Sequence, residues 1–132
     1  MKGILLIMMA LFSFCADAED SERPGDDRYK LVEAHDFSRD AVLSRHNKMP
    51  ILLLVSQTHC PFCVQIKKEI LGPMVNSGEY LKRLLIREIF IDLGGTVRDF
   101  NGKVLANSDF ALGYKVYLTP TLLFLDADGN EL

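Results

Sequence analysis

The chain has 132 residues, of which 48% are hydrophobic, and it carries a formal net charge of −3 and no tryptophan. This length and composition favour one globular domain. The mild acidity argues against a nucleic-acid or anionic-membrane surface, because such surfaces carry a clustered excess of basic residues. We therefore expect no nucleic-acid partner.

The first eighteen residues have the layout of a secretory signal peptide. Lys2 gives a positive start, residues 4–14 form an apolar run, and Ala16-Asp17-Ala18 offers small residues at a cleavage site. An uncleaved membrane anchor is the alternative, but a spanning helix needs about 20 apolar residues and this run has about half of that. Acylation at Cys15 is disfavoured by the bulky Phe14 before it. We predict cleavage after Ala18 and an exported, periplasmic protein with no membrane contact afterwards.

Cleavage would leave only two of the three cysteines, Cys60 and Cys63. An oxidising compartment allows such a close pair to cycle between dithiol and disulfide. Two intervening residues close too short a loop for useful stabilisation, because that stabilisation grows with loop length. The pair is therefore predicted to have a chemical role.

The segment before the cysteine region predicts a linker and a helix. Residues 19–28 are charged and contain Pro-Gly without apolar periodicity, which indicates a flexible linker ahead of a domain over 29–132. Asp36 is a suitable N-cap for a helix that ends near Asn47. The inward side chains of this helix are expected to be Phe37, Ala41 and Val42.

The segment around the two cysteines predicts a strand, a turn and a helix. Residues 51–55 are five consecutive apolar residues, a pattern typical of a central strand covered on both faces. A polar turn over 56–59 leads into a helix that Gly72-Pro73 should end. The helix is expected to bury Cys63, Ile66 and Ile70 on one face and to leave Lys67, Lys68 and Glu69 mostly outward.

The next part of the chain predicts short elements. Residues 80–85 are predicted to be helical, and residues 89–91 to form a second buried strand. Asn101-Gly102 lies between Val97 and Val104 and predicts a β-hairpin.

The end of the chain predicts a helix, a strand and a turn. Ser108 is suited to cap a short helix through Tyr114. Thr119-Pro120 then precedes an apolar strand over 121–125, and residues 126–130 form a turn. Strands that alternate with helices indicate an α/β fold.

The chemistry expected of the cysteine pair is disulfide exchange, which requires a thiolate. A free cysteine has a pKa of about 8.5, and a helix N-terminus can lower it to about 3.5–7.5 through its unpaired N–H groups and partial positive charge. Cys60 lies at the strand-to-helix junction, so we predict it to be the nucleophile, with Cys63 as the resolving thiol one turn deeper. Pro61 suits the first helical turn, where its missing N–H would have had no partner.

Metal binding and haem attachment are the main chemical alternatives for a Cys-x-x-Cys pair. A zinc site needs further ligands, but the chain has no second cysteine pair, and His35, His46 and His59 are not at ligand spacing. Haem attachment requires a histidine directly after the second cysteine, where this chain has Val64.

Two stretches of the chain resemble the thioredoxin superfamily. ILLLVSQTHCPFCVQIKKEI, residues 51–70, resembles its active-site strand and helix, and YKVYLTPTLLFLDAD, residues 114–128, is similar to its cis-proline segment and following strand. The resemblance covers 29–132 and is closest to the exported thioredoxin-like group that includes SoxW-type proteins. It implies a central mixed sheet flanked by helices. That fold normally adds a last strand and helix, so we expect the chain to be C-terminally truncated.

The resemblance also implies roles for individual residues. It makes Cys60 and Cys63 the redox pair and Pro120 the cis-proline. Thr119, before that proline, would pair its backbone with an extended substrate segment, which gives affinity with little demand on substrate sequence.

Other positions near the pair differ from the family pattern or add to it. His59 replaces the usual tryptophan; when protonated it would lower the pKa of Cys60, and the alternative is a solvated turn residue. Leu54 occupies the position of a buried acid that serves proton transfer at the resolving thiol. Pro61 and Phe62 are predicted to contact substrate proteins.

The sequence therefore predicts an exported, monomeric thiol–disulfide oxidoreductase that acts on protein disulfides and contributes to redox homeostasis. It would need no metal or organic cofactor and would receive electrons from an upstream dithiol protein. The direction depends on the redox potential, which spans about −270 to −120 mV among thioredoxin-fold proteins, and the resemblance favours a reductase. Two alternatives remain: a Cu(I) carrier that adds a third ligand to the thiolates, and a redox-inactive binding module with an inert disulfide.

Overall fold

The computed structural model describes residues 29–132. The predicted signal peptide over 1–18 and the linker over 19–28 lie outside these residues. Within 29–132, none of the helices combines the length and the apolar character that crossing a membrane requires.

A three-stranded mixed sheet forms the centre of the fold, which confirms the predicted α/β class. β1 lies in the middle, parallel to β2 and antiparallel to β5, and all six of its residues are buried. A central strand covered on both faces accounts for the continuous apolar run in the sequence. In chain order the strands are β1 (Ile51–Ser56), β2 (Leu85–Phe90), β3 (Thr96–Arg98), β4 (Val104–Ala106) and β5 (Thr121–Leu125).

Both edges of the sheet carry one further bridged residue. Glu33 forms a parallel bridge with Glu88 of β2, and Glu131 forms an antiparallel bridge with Leu125 of β5. The predicted hairpin is confirmed as the separate antiparallel pair of β3 and β4. Its turn contains Gly102 at φ +85°, a conformation that side-chain-bearing residues rarely adopt.

Two helices cover one face of the sheet. α1 (Phe37–Asn47) begins at the predicted N-cap Asp36, whose carboxylate accepts the Arg39 N–H. The later helix α4 (Asn107–Gly113) begins one residue before the predicted cap Ser108, after Ala106, and has no side-chain cap. Their shared core is built from Phe37, Ala41, Ile51, Leu53, Val55, Phe110, Ala111, Leu123 and Leu125. The prediction that Val42 points inward is wrong, since it is largely exposed on α1.

The opposite face is covered by a helical run that starts at the cysteine pair. It consists of α2 (Pro61–Ile66), a π-helical segment (Lys67–Leu71) and α3 (Gly72–Asn76), which follow one another without a break; we call this run the 61–76 helix. The predicted end at Gly72-Pro73 is therefore wrong. The Gly72 N–H donates to the carbonyl of Lys67, five residues back, and this wider turn carries the chain past a proline that lacks an N–H of its own.

The wider turn also changes which residues face the sheet. Ile70, predicted to be inward, is half exposed, whereas Leu71 is buried. The core on this face consists of Leu31, Leu52, Leu54, Leu71 and Ile86.

The predicted helix over 80–85 is wrong. Residues 80–83 form turns, and Leu85 already belongs to β2. Leu85 donates its N–H to the carbonyl of Pro50 and pairs in register with Ile51. The predicted strand over 89–91 is thus the end of a longer strand, Leu85–Phe90.

Candidate active site

Cys60 and Cys63 lie where β1 meets the 61–76 helix. Cys60 is the N-cap residue of α2, with an extended backbone (φ −127°, ψ 96°), and Pro61 occupies the first turn. The two cysteines form a disulfide with their Cα atoms 5.2 Å apart. Cys60 is 7% exposed and Cys63 is 1% exposed, so Cys60 is the sulfur nearer to solvent.

The start of the helix presents a hydrogen-bond donor to the outer sulfur. The Cys63 N–H donates to Cys60 Sγ at 3.1 Å. A negative charge on a sulfur at this end of a helix is stabilised by such N–H groups and by the helix dipole. Because Cys63 is already within bonding reach of Cys60, it can attack a mixed disulfide formed there. The arrangement can therefore carry a two-step thiol–disulfide exchange.

The loop that leads into Cys60 is held by a carboxylate from the end of β2. Asp92 accepts the Thr58 backbone N–H at 2.9 and 3.2 Å and also the Thr58 hydroxyl. The hydroxyl bond is the main reason that the pKa of Asp92 lies below its ordinary value of 3.8. His59 is exposed, with its Nδ1 3.2 Å from Thr58 Oγ1. Its predicted effect on the pKa of Cys60 stays a prediction.

A second loop approaches the first through a side-chain contact. The Thr119–Pro120 peptide bond is cis, as the resemblance implies. Thr119 Oγ1 donates to Gln57 Oε1 at 2.9 Å, which joins this loop to the one before Cys60. Within residues 29–132, neither the backbone N–H nor the backbone C=O of Thr119 forms a hydrogen bond.

Of the predicted substrate residues, Pro61 alone lines the pocket beside Cys60. A pocket of about 550 Å³ opens beside Cys60, with His59, Pro61 and Val64 in its wall. Phe62, Thr119 and Pro120 do not line that pocket. Phe62 is instead an exposed apolar side chain on the helix surface, as are Tyr117 and Leu118 in the loop before Thr119.

The sheet carries a buried acid on a different strand from the one expected. Leu54 is fully buried in the core, but Glu88 of β2 is directly in register with it and is also buried. The Glu88 carboxylate accepts a hydrogen bond from Lys67 Nζ at 2.9 Å. Lys67 is therefore not the outward, solvated residue predicted from the helix pattern.

Asp92, Gln57 and Glu88 were all missed in the sequence. For Asp92 a signal exists, because the carboxyl ends of the parallel strands β1 and β2 meet at one edge of the sheet, and polar residues follow both strands. For Glu88 the signal is a charge inside the short apolar strand LIREIF. Gln57 has no distinguishing sequence signal.

The described residues contain no cluster of three or more histidine, cysteine, aspartate or glutamate side chains suited to hold a metal. The third ligand that a metal carrier would add to Cys60 and Cys63 is thus not found within 29–132.

A close cysteine pair at the start of a helix, beside a cis-proline loop and on a mixed sheet, defines a thioredoxin-fold thiol–disulfide oxidoreductase. The comparison with protein families agrees, since the model for the thioredoxin-like domain matches residues 37–132. The chain belongs to this thioredoxin-like family.

Solved structures share the fold at low sequence identity. One titled as DsbH oxidoreductase is 20% identical, with a TM-score of 0.59 over 89% of this chain and 81% of that chain. A poplar wild-type thioredoxin h is also 20% identical, with a TM-score of 0.50 over 76% of this chain and 79% of that chain. No protein of curated function matches the sequence significantly.

Proposed function

We propose that this protein is an exported, SoxW-type thiol–disulfide reductase that acts on protein disulfides in the periplasm. The observation that carries the proposal is the Cys60–Cys63 pair at the start of the 61–76 helix, with Cys60 the more exposed sulfur. Export is supported by the signal-peptide layout of residues 1–18, and the reducing direction by the resemblance to the SoxW-type group.

The reaction proceeds in two exchanges. The Cys60 thiolate attacks one sulfur of a substrate disulfide, the substrate S–S bond breaks, and the other substrate sulfur leaves as a thiolate that takes up a proton. Cys63 then loses its proton and attacks Cys60 Sγ, which releases the second substrate thiol and forms the Cys60–Cys63 disulfide. Two electrons have passed to the substrate, and an upstream dithiol protein restores the reduced pair.

Substrate recognition is expected at the cis-proline loop. The Thr119 backbone has no hydrogen-bond partner among the described residues, so an extended substrate segment can pair with it as an added strand. The exposed side chains of Phe62, Tyr117 and Leu118 offer apolar contacts to the same partner.

The test is a comparison of Cys60→Ser with Cys63→Ser in insulin reduction driven by dithiothreitol. Loss of Cys60 should abolish the activity above the uncatalysed rate, because no nucleophile remains. Loss of Cys63 should trap mixed disulfides, visible as covalent adducts on non-reducing gels. Equal activity of the wild type and Cys60→Ser would remove the proposed enzyme.

Export has its own test. The N-terminal sequence of the protein recovered from the periplasm of an expressing bacterium should begin at Glu19. Recovery of the chain with Met1 in the cytoplasmic fraction would contradict the export proposal without affecting the chemistry.

A further inference from the structure

A hydrogen bond between two side chains joins the cis-proline loop to the loop before Cys60. Thr119 Oγ1 donates to Gln57 Oε1 at 2.9 Å. Within residues 29–132, no other hydrogen bond connects residues 57–59 with residues 114–120. The Gln57 side chain is exposed, so the bond lies at the surface and adds little to the core of the protein.

The strand register explains how these two side chains meet. β1 and β5 are antiparallel, and their last backbone pair is Val55 with Thr121. Continuing that register by two residues places Gln57 opposite Thr119. The residue before Thr121 is Pro120, which has no N–H to donate to β1. The bond between the Gln57 and Thr119 side chains therefore takes over where the backbone pairing of β1 and β5 ends.

A side-chain bond at this position leaves the backbone of Thr119 free. In a hydrogen-bonded antiparallel pair, the two residues exchange both of their backbone bonds, so such a pair with Gln57 would occupy both backbone groups of Thr119. In the structure neither group has a partner within 29–132. Thr119 is thus held through its hydroxyl, while its N–H and C=O stay available to an added strand.

The placement of Thr119 matters because a substrate must meet two points at once. Its disulfide must reach Cys60 Sγ while its backbone pairs with Thr119, and the covalent geometry of the substrate fixes the distance between the two. A hydroxyl bond from Thr121 to the Leu118 carbonyl, 2.6 Å long, joins two residues of the same loop. The bond to Gln57, three residues before Cys60, relates that loop to the nucleophile and orders it before the substrate binds.

We infer that Gln57 is a positioning residue for protein substrates, which holds Thr119 in register with Cys60 so that the Thr119 backbone can pair with an extended substrate segment; this inference rests on the proposed function. Gln57 takes no part in the sulfur exchange itself. The substrates that it favours are peptides and proteins whose backbone is extended and unpaired beside the reacting cysteine.

The experiment uses N-methylation of the substrate backbone to detect the pairing. Reduction driven by dithiothreitol is measured with a peptide disulfide, and with two versions of it that are N-methylated at the residue before or after the reacting cysteine. Each methyl group removes one backbone donor and leaves the disulfide unchanged. In the wild type at least one methylated peptide should have a KM raised by about 3- to 10-fold, the scale of one hydrogen bond.

Gln57→Leu should raise KM for the unmethylated peptide by about 10-fold and leave kcat within about twofold of the wild type, because binding is weakened and the exchange is not. N-methylation should then change KM by less than about twofold, since the pairing that it blocks is already lost. Thr119→Val removes the hydroxyl and should behave as Gln57→Leu does, with the double variant no weaker than either. Thr119→Ser keeps the hydroxyl and should keep the wild-type response to N-methylation.

Asn47→Leu is the matched control, because it also replaces an exposed amide side chain with leucine. Asn47 Nδ2 donates to the Leu43 carbonyl at 3.1 Å. Asn47 ends α1 shortly before β1 begins, whereas Gln57 follows the end of β1. The six residues of β1 separate the two amides, a distance of about 20 Å. Asn47→Leu should therefore show the wild-type KM and the wild-type response to N-methylation.

The inference is overturned if Gln57→Leu keeps the wild-type KM, or if N-methylation still raises the KM of this variant by the wild-type factor. It is also overturned if neither methylated peptide differs from the unmethylated one in the wild type, or if Asn47→Leu raises KM as much as Gln57→Leu. Failure of the wild type to reduce the peptide would instead overturn the proposed function.

Discussion

Replacement of Phe62 with alanine should weaken exchange with protein substrates and leave the fold intact. The side chain is 69% exposed, so little packing is lost in the free protein. A phenylalanine side chain has about 200 Å² of surface, of which about 140 Å² stays accessible at this exposure. Complete coverage by a partner would contribute about 3.5 kcal/mol, and coverage of half would contribute about 1.7 kcal/mol.

If a substrate protein covers half of the exposed Phe62 surface, Phe62→Ala should lose about 10- to 30-fold in kcat/KM for insulin reduction. A small aromatic disulfide has far less surface with which to cover the Phe62 ring than a protein has, so its kcat/KM should stay within about twofold of the wild type. Val42→Ala is the control, because Val42 is 62% exposed on the opposite side of the sheet. The reasoning fails if Phe62→Ala reduces insulin as well as Val42→Ala does, or if it loses as much activity with the small disulfide.

Three further substitutions test features around the sheet. The pKa of Asp92 is lowered because a hydroxyl and a backbone N–H donate to its carboxylate, so its contribution to stability is present above its unfolded pKa and lost as pH falls. Asp92→Asn should therefore be less stable than the wild type in urea at neutral pH. A stability difference between the two proteins that persists well below pH 3.8 would contradict this reasoning. Gly72→Ala would place a Cβ 2.7 Å from both a backbone carbonyl and the Tyr29 ring. The resulting overpacking, about 1–3 kcal/mol, should outweigh the gain of about 1 kcal/mol in helix propensity and lower the Tm. An unchanged or raised Tm would refute this prediction. The Tyr114 hydroxyl donates to the Gly129 carbonyl at 2.7 Å, and burial raises the pKa of Tyr114 to about 12. The stabilisation from this group is therefore full below pH 10 and lost as pH rises through about 12. Tyr114→Phe should remove a late tyrosine transition from the ultraviolet titration, and a titration curve unchanged at high pH would contradict this prediction.

The parts of the fold predicted correctly are those in which local pattern and tertiary environment agree. The apolar run over 51–55 matches the burial of β1 on both faces. Asn101-Gly102 lies in the turn of the predicted hairpin, because the turn chemistry is local. Thr121–Leu125 was also predicted, since it is apolar and follows a proline.

The incorrect parts depend on contacts that are distant in sequence. Residues 80–85 carry a helical pattern, but pairing with Ile51 turns Leu85 into the start of a strand. A proline normally ends a helix, yet the π-helical segment before Gly72 carries the 61–76 helix past Pro73. That wider turn shifts the phase of the helix, which a regular 3.6-residue period cannot anticipate.

The sequence predicted the two cysteines of the candidate site but only some of the residues around them. Cys60 and Cys63 were found from spacing and context, because the reacting atoms and the helix start are adjacent in sequence. Asp92, which holds the loop before Cys60, and the buried Glu88 lie in β2 or just after it, more than twenty residues further along the chain. Their placement follows from strand pairing, so no local pattern around the cysteines could indicate it.

The most direct test of the account is the ionisation of Cys60. In the Cys63→Ser variant, the rate of alkylation by iodoacetamide should follow a single titration well below the free-cysteine pKa of about 8.5, since the backbone N–H of residue 63 and the helix start stabilise the thiolate. Titration of Cys60 at the value of free cysteine would contradict the claim that the start of this helix activates it.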